Sequence, residues 1–145
     1  MVLEASRTVE VDASVERCYE LAADIEKAPD WQETLLDVEV LDRDGEGRPL
    51  EVETTNDVIV RKAKSILRFE YDPPNGLSWE QVKGDAKWAK GYWKFEDLGD
   101  GRTRATYALE SDPGRVLGML LRGPVQDKVK DHLTKAPTEG LLAKA

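Results

Sequence analysis

The chain has 145 residues, 40% of them hydrophobic, which suits one domain over residues 1–145 with one apolar core. Its formal net charge of -8 would repel the phosphate backbone of DNA or RNA, so nucleic acid is disfavoured as a partner. Because Cys18 is the only cysteine and His132 the only histidine, we expect no internal disulfide, no zinc cluster and no cofactor, which leaves cofactor-free chemistry or simple binding.

The N-terminal segment gives an expectation about location. The run MVLEASRTVEV has no basic stretch followed by an apolar one, and nowhere in the chain do about 18 apolar residues follow one another. We therefore expect a soluble, cytoplasmic protein without a transmembrane segment. The pattern leaves the oligomeric state open.

Two segments have helical spacing. In VDASVERCYELAADI, apolar residues recur at i, i+3, i+4 and i+7, with Ser14 as the predicted N-cap. A second helix is predicted from Val116 to Leu133, where Leu117, Leu121, Val125, Val129 and Leu133 form one stripe that must lie on another surface. Pro124 disfavours helical backbone at Gly123, so this helix is expected to kink or restart there.

Between the two helices, turn signals follow one another at even intervals. They are DRDGEGRP, DPPNG, KGDAK and EDLGDGRT, and β-rich segments flank each of them. Successive hairpins of this kind form an antiparallel meander. A first strand, a helix, the meander and a long final helix together predict an α+β domain whose sheet packs one face on helices and leaves the other face in water.

Alternation along the strands assigns the two faces of the sheet. The predicted outward side has lysines beside Trp88 and Tyr92, while Gly91 and Ala89 leave room beside the inward Trp93. The other inward residues are Leu67, Phe69, Tyr71, Leu77, Trp79, Gln81, Phe95, Ala105, Tyr107 and Leu109, with Thr54 and Asn56. Large rings mixed with hydroxyls and amides indicate either side chains bonded to the helices or a cavity for water or ligand. Periodicity leaves both interpretations open.

Three motifs carry a resemblance to a known family. They are D-I-E-x-x-P-x-W at Asp24–Trp31, E-V-L-x-R-D-x-x-G at Glu39–Gly47, and G-x-W-x-F followed by G-x-T at Gly91–Thr103. Nearly the whole chain resembles the START-like (SRPBCC) superfamily, and most closely its bacterial polyketide cyclase/dehydrase and lipid-transport group. The resemblance implies a helix-grip fold, in which a curved antiparallel sheet wraps around a long C-terminal helix and a cavity between them takes an apolar ligand.

The favoured hypothesis is a binding or carrier protein for a hydrophobic small molecule such as a lipid, an isoprenoid or a polyketide-like compound. Rings would line the wall, amides would orient the ligand, and Trp31 and two leucines would lie near the mouth. The predicted ligand-binding residues are Trp31, Asn56, Phe69, Tyr71, Trp79, Gln81, Trp93, Tyr107, Leu117 and Leu121. Burial of apolar ligand surface would supply the affinity.

Two alternatives belong to other classes of function. The first is a polyketide cyclase or dehydratase that works by holding its substrate folded, without metal or nucleotide cofactor. No catalytic triad defines the family, and Ser111, Asp112 and His132 lack a G-x-S-x-G elbow, so the catalytic residues stay unknown. The second is a ribosome- or protein-interaction module on the outer sheet face. Its basic residues around Trp88 and Tyr92 are Lys62, Lys64, Arg68, Lys90, Lys94 and Arg104.

Overall fold

The fold of the chain is a seven-stranded antiparallel sheet that packs on helices, as seen in a computed structural model that describes residues 2–145. The strands are β1 (Leu3–Val11), β2 (Leu35–Arg43), β3 (Pro49–Asp57), β4 (Lys62–Asp72), β5 (Gly76–Gly84), β6 (Trp88–Gly99) and β7 (Arg102–Asp112). The helices are α1 (Val15–Ala23), a 3-10 helix (Ile25–Asp30), α2 (Gly114–Leu120) and α3 (Pro124–Lys144). Across the sheet the strands follow the order β1-β7-β6-β5-β4-β3-β2.

The order of the strands places the sheet around the C-terminal helix. Hairpins join β2 to β7 in sequence, and β1 closes the other edge by pairing with β7. Helix α3 packs on β1 and β7, and α1 packs on β6 and β7. The main core lies between these layers and includes Val52, Phe69, Trp93, Phe95 and Leu141. The predicted α+β helix-grip fold is therefore confirmed.

The first helix follows its sequence signals. The Ser14 side chain accepts a hydrogen bond from the Arg17 amide at 3.1 Å, which satisfies one of the free donors at the start of α1. Val15, Cys18 and Ala22 are buried on one face of the helix. Burial of this stripe against the sheet is what fixes α1, because a nine-residue helix is not stable alone in water.

The C-terminal helix differs from the prediction in length. The expected restart occurs, because Gly123 adopts a φ of +65° and Pro124 begins α3 at a position where its missing N–H breaks no bond. However, α3 runs past Leu133 to Lys144 and includes Pro137. Buried Thr138 donates to the Thr134 carbonyl at 2.8 Å, so a polar residue is satisfied inside the helix. Within residues 2–145, neither α3 nor any other helix has the length and apolarity needed to cross a membrane.

The space expected beside Gly91 is filled by the Trp79 side chain. Gly91 lies opposite Trp79 in the β5–β6 pairing. A Cβ at Gly91 would lie 2.7 Å from two atoms of the Trp79 indole and 2.7 Å from the Ala108 carbonyl oxygen. Gly91 therefore lets a large ring lie flat against the sheet and does not leave an empty pocket.

Gly91→Ala is expected to lower the free energy of unfolding by about 1–3 kcal/mol, because overpacking forces the ring or the backbone to move. Urea denaturation would measure the loss. Gly45→Ala is the matched control, since a Cβ there meets no atom within 4 Å. Equal stability of the two variants would contradict the proposed contact.

Candidate functional site

The inner face of the sheet and helices α2 and α3 surround a cavity of about 220 Å³. All seven strands, the 3-10 helix and the three α-helices contribute residues to its walls. Eight of the ten predicted ligand-binding residues line this cavity, namely Asn56, Phe69, Trp79, Gln81, Trp93, Tyr107, Leu117 and Leu121. The structure therefore brings these eight together, and their role in binding stays a prediction.

Trp31 and Tyr71 lie outside the lining of the cavity. The Trp31 ring packs on Trp93, with 6.4 Å between the ring centroids. Tyr71 follows Phe69 by two residues on the same face of β4, beyond the end of the cavity. Its hydroxyl donates to the Pro49 carbonyl at 2.6 Å, and the Arg48 guanidinium lies 4.7 Å above its ring. Tyr71 thus ties β4 to the start of β3, and its role in ligand binding stays a prediction.

Tyr71→Phe is expected to lower the free energy of unfolding by about 1 kcal/mol, because the Pro49 carbonyl oxygen loses its hydroxyl donor. Tyr107→Phe is expected to leave the stability unchanged, since no group among residues 2–145 bonds to the hydroxyl that it removes. Thermal or urea unfolding of both variants would measure this difference. A larger loss in Tyr107→Phe would show that its hydroxyl has a partner in the protein.

Aromatic rings form a continuous wall along one side of the cavity. The Phe69, Trp79 and Tyr107 rings follow one another at centroid distances of 5.8 and 5.6 Å. Trp93 meets Tyr107 edge to face at 4.8 Å. Trp79 on β5 reaches Tyr107 on β7 although β6 lies between them, because Gly91 has no side chain to separate the rings. Such packing adds stability beyond area burial and gives the cavity a rigid apolar side.

The Tyr107 hydroxyl is the polar group of this wall. Burial alone raises its pKa above the ordinary value, with no contribution from a hydrogen bond or a nearby charge. The hydroxyl is therefore protonated at neutral pH and has a donor to offer. Among the described residues no group accepts that donor. A hydrogen bond from this hydroxyl to a ligand oxygen is therefore available.

A polar network lies at the other side of the cavity, on β3, β4 and β5. The Ser65 hydroxyl donates to Gln81 Oε1 at 2.7 Å, and Gln81 Nε2 donates to the Ala86 carbonyl at 2.8 Å. The Asn56 amide makes one long contact, from Nδ2 to Thr54 Oγ1 at 3.4 Å. Gln81 is thus held by the protein at both ends of its amide, while Asn56 keeps hydrogen-bonding capacity for a ligand.

Several lining residues were absent from the predicted set. Alternation from Leu67 places Ser65 on the inward face of β4. Between these two residues, a bulge in the β4–β5 pairing leaves Val82 without a partner in the register. Gln32 and Thr34 line the cavity from the segment that joins the 3-10 helix to β2. Irregular segments have no periodicity, so no sequence signal identifies which of their side chains point inward.

The outer sheet face is an array of ion pairs. Lys90 contacts Glu110 at 3.6 Å, and Lys94 contacts Glu96 at 2.9 Å. Arg68 and Arg104 pair in the same way with Glu51 and Glu96, both at 3.7 Å. Four of the six basic residues predicted for an interaction platform are thus matched by glutamates on the same or a neighbouring strand. This pairing does not favour an interaction module for an acidic partner, because little unpaired positive charge remains on that face.

Comparison with known proteins identifies the family. The sequence profile of the family described as "Polyketide cyclase / dehydrase and lipid transport" matches residues 11–137. The chain belongs to this family. The predicted resemblance is therefore confirmed, and the matched range contains every cavity residue named above. No curated protein matches the chain.

Solved structures of family-like proteins share the fold. A START superfamily protein from Mycobacterium smegmatis is 21% identical, with a TM-score of 0.84 over 97% of this chain and 95% of that one. A protein from Thermus thermophilus is 23% identical, with the same TM-score and the same coverage. The Zhui aromatase/cyclase from a Streptomyces species is 19% identical, with a TM-score of 0.82 over 99% and 93% of the two chains. Similarity at these identities shows the fold of this family member alone.

Proposed function

We propose that this family member binds and carries a small hydrophobic molecule that has at least one polar oxygen. The observation that carries the proposal is the Tyr107 hydroxyl, a protonated donor without a partner among residues 2–145, in an otherwise apolar wall. The Tyr107 side chain lines the open space of the cavity, so a bound molecule can reach its hydroxyl. A ligand carbonyl or hydroxyl oxygen against Tyr107 would supply that partner, while the rings around it would bury the rest of the molecule.

The volume of the cavity supports a ligand of modest size. An apolar cavity of about 150 Å³ takes benzene, and sites for drug-sized molecules span about 300–1,000 Å³. At about 220 Å³, this cavity fits a compound of two fused rings or a short isoprenoid. Each 100 Å² of apolar ligand surface that leaves water would contribute about 2.5 kcal/mol to binding.

Acetylnaphthalene and naphthalene form a matched pair of ligands for testing this proposal, since they differ in one acetyl group, which carries the ketone. We expect Tyr107→Phe to weaken acetylnaphthalene binding about fivefold, the effect of losing one hydrogen bond, and to leave naphthalene binding unchanged. Isothermal titration calorimetry would measure both affinities. Tyr71→Phe is the control, because its hydroxyl lies outside the cavity and both affinities should stay at the wild-type level. Equal loss for the two ligands would contradict a bond to the ketone.

The same hydroxyl also favours a second candidate function, a cyclase or dehydratase reaction on a polyketide-like chain. A hydrogen bond from this hydroxyl to a ketone oxygen would polarise the carbonyl, and the cavity walls would hold the polyketide-like chain folded. Turnover of a poly-β-ketone analogue that is lost in Tyr107→Phe would support this reaction. Binding of the analogue without turnover would leave the carrier function as the better account.

A further inference from the structure

Helix α2 has apolar side chains on both of its sides. Leu117 in the helix and Leu121 directly after it are buried and line the cavity. On the opposite side, Val116, Met119 and Leu120 are 68%, 60% and 47% exposed. These three residues, at i, i+3 and i+4, are called the α2 patch below. Side chains that protrude this far leave apolar surface in water next to the cavity, which is typical of a contact site.

Unpaired positive charges surround the α2 patch. Arg115, Arg122 and Lys87 line one shallow depression together with Met119, and these three cations outnumber its one acidic residue, Asp112. Within residues 2–145, none of these three cations has an ion-pair partner, whereas seven of the other eight arginines do. From residue 113 to residue 126 the sequence contains no acidic residue. The region is thus locally cationic on a protein of net charge -8.

We propose that the α2 patch docks on an anionic lipid bilayer. Apolar side chains that protrude from a short helix, flanked by arginine and lysine, match the boundary between acyl chains and anionic headgroups. A protein partner would need a groove of complementary shape, whereas a bilayer deforms around a protruding surface. The three cations attract the headgroups in spite of the overall negative charge, because charges more than a Debye length away are screened.

The α2 patch lies next to the cavity, so docking would bring the cavity to the bilayer. The use of docking for ligand transfer rests on the proposed carrier function. Leu117 lines the cavity from the same short helix that carries the α2 patch. A docked protein would therefore hold its cavity against the layer in which hydrophobic molecules dissolve. The ligand would pass between bilayer and cavity beside α2, without crossing water.

Vesicle flotation of the full chain tests the proposal. We expect the protein to float with phosphatidylcholine vesicles that contain roughly 30% phosphatidylglycerol, and not with phosphatidylcholine alone. Binding should weaken strongly between about 25 mM and about 300 mM sodium chloride, because salt screens the attraction of the cations. Failure to float with the anionic vesicles at low salt would overturn the proposal.

Two sets of variants separate the apolar and the cationic contributions. Replacing Val116, Met119 and Leu120 together by serine should lower vesicle partitioning more than about tenfold, since the inserted area is lost. Arg115→Gln with Arg122→Gln should have an effect of similar size, about a factor of ten or more. Val82→Ser and Arg17→Gln are the controls, because Val82 is 57% exposed on β5 and Arg17 lies on α1, without an ion pair to any described residue. Wild-type flotation by either patch variant would overturn the proposal.

The single cysteine allows a direct test of insertion. Cys18 is fully buried, so a thiol dye would react selectively with a cysteine introduced at the surface. A nitrobenzoxadiazole dye on Met119→Cys should shift to the blue on addition of anionic vesicles, and the same dye on Val82→Cys should not. A shift at both positions, or at neither, would contradict docking through α2.

Further measurements keep this proposal distinct from the carrier function and from dimer formation. Acetylnaphthalene binding in solution should be the same in the serine variant and in the wild type, because the exposed residues do not line the cavity. A wild type that binds acetylnaphthalene but no vesicles refutes docking alone, and the reverse result refutes the carrier function. If sedimentation shows a wild-type dimer that dissociates in the serine variant, a second copy covers the patch and docking on lipid is refuted.

Discussion

Gly140→Ala is expected to lower the free energy of unfolding by about 3 kcal/mol, although alanine is the better helix former. Gly140 lies within α3, where it touches the backbone carbonyl of Trp31. A Cβ at this position would overlap that carbonyl oxygen and approach the Trp31 ring. Since the obstacle is backbone, a rotamer change does not relieve it. Either α3 or the segment after the 3-10 helix must move, and the contact of Trp31 with Trp93 moves with it.

Urea denaturation of Gly140→Ala beside Ala143→Gly would measure this effect. Ala143 is exposed in the last turns of the same helix, so its replacement reports helix propensity alone, at most about 1 kcal/mol. On propensity alone, Gly140→Ala would be stabilising. A stable Gly140→Ala variant would therefore show that α3 does not approach Trp31 as closely as described.

Ala89→Trp is expected to weaken naphthalene binding by at least about tenfold, or about 1.4 kcal/mol. Ala89 lines the cavity on the inner side of β6, near the start of α2. The indole introduced there is itself a two-ring group, so it takes up the space of a ligand of the proposed size. The cavity is then filled by the protein, and the ligand has no wall to pack against.

Tyr92→Trp is the control for this experiment, because it adds an indole to the outer face of the same strand, where Tyr92 is 43% exposed. Calorimetric titration with naphthalene should give the wild-type affinity for this control. Circular dichroism of both variants would establish that they fold. Undiminished binding by a folded Ala89→Trp protein would show that naphthalene binds somewhere else.

Strand alternation predicted most of the cavity because the period of two fixes which face a side chain occupies. Phe69, Trp79, Trp93 and Tyr107 all reach the same cavity for that reason. The period does not say how far a cavity extends along a strand. Tyr71 is on the predicted face, but one pair of residues further along β4 it meets Pro49 instead of the cavity.

Other features depend on contacts between distant segments, which no local pattern encodes. The predicted helix ends at Leu133, yet α3 continues to Lys144 through Pro137, and Gly140 fits against the Trp31 backbone. The predicted stripe of Leu117 and Leu121 did not indicate that apolar residues on the other side of α2 are exposed. Only the packing of that stripe against the cavity shows that Val116 and Met119 remain in water.

A crystal structure of the protein with acetylnaphthalene is the most direct test of the central claim, that the cavity binds an apolar molecule through a polar oxygen. We predict that the two rings lie between Trp79, Trp93 and Leu117, with the ketone oxygen at hydrogen-bond distance from the Tyr107 hydroxyl, about 2.5–3.0 Å. An empty cavity in a crystal grown with saturating ligand, or a ketone turned away from Tyr107, would contradict it.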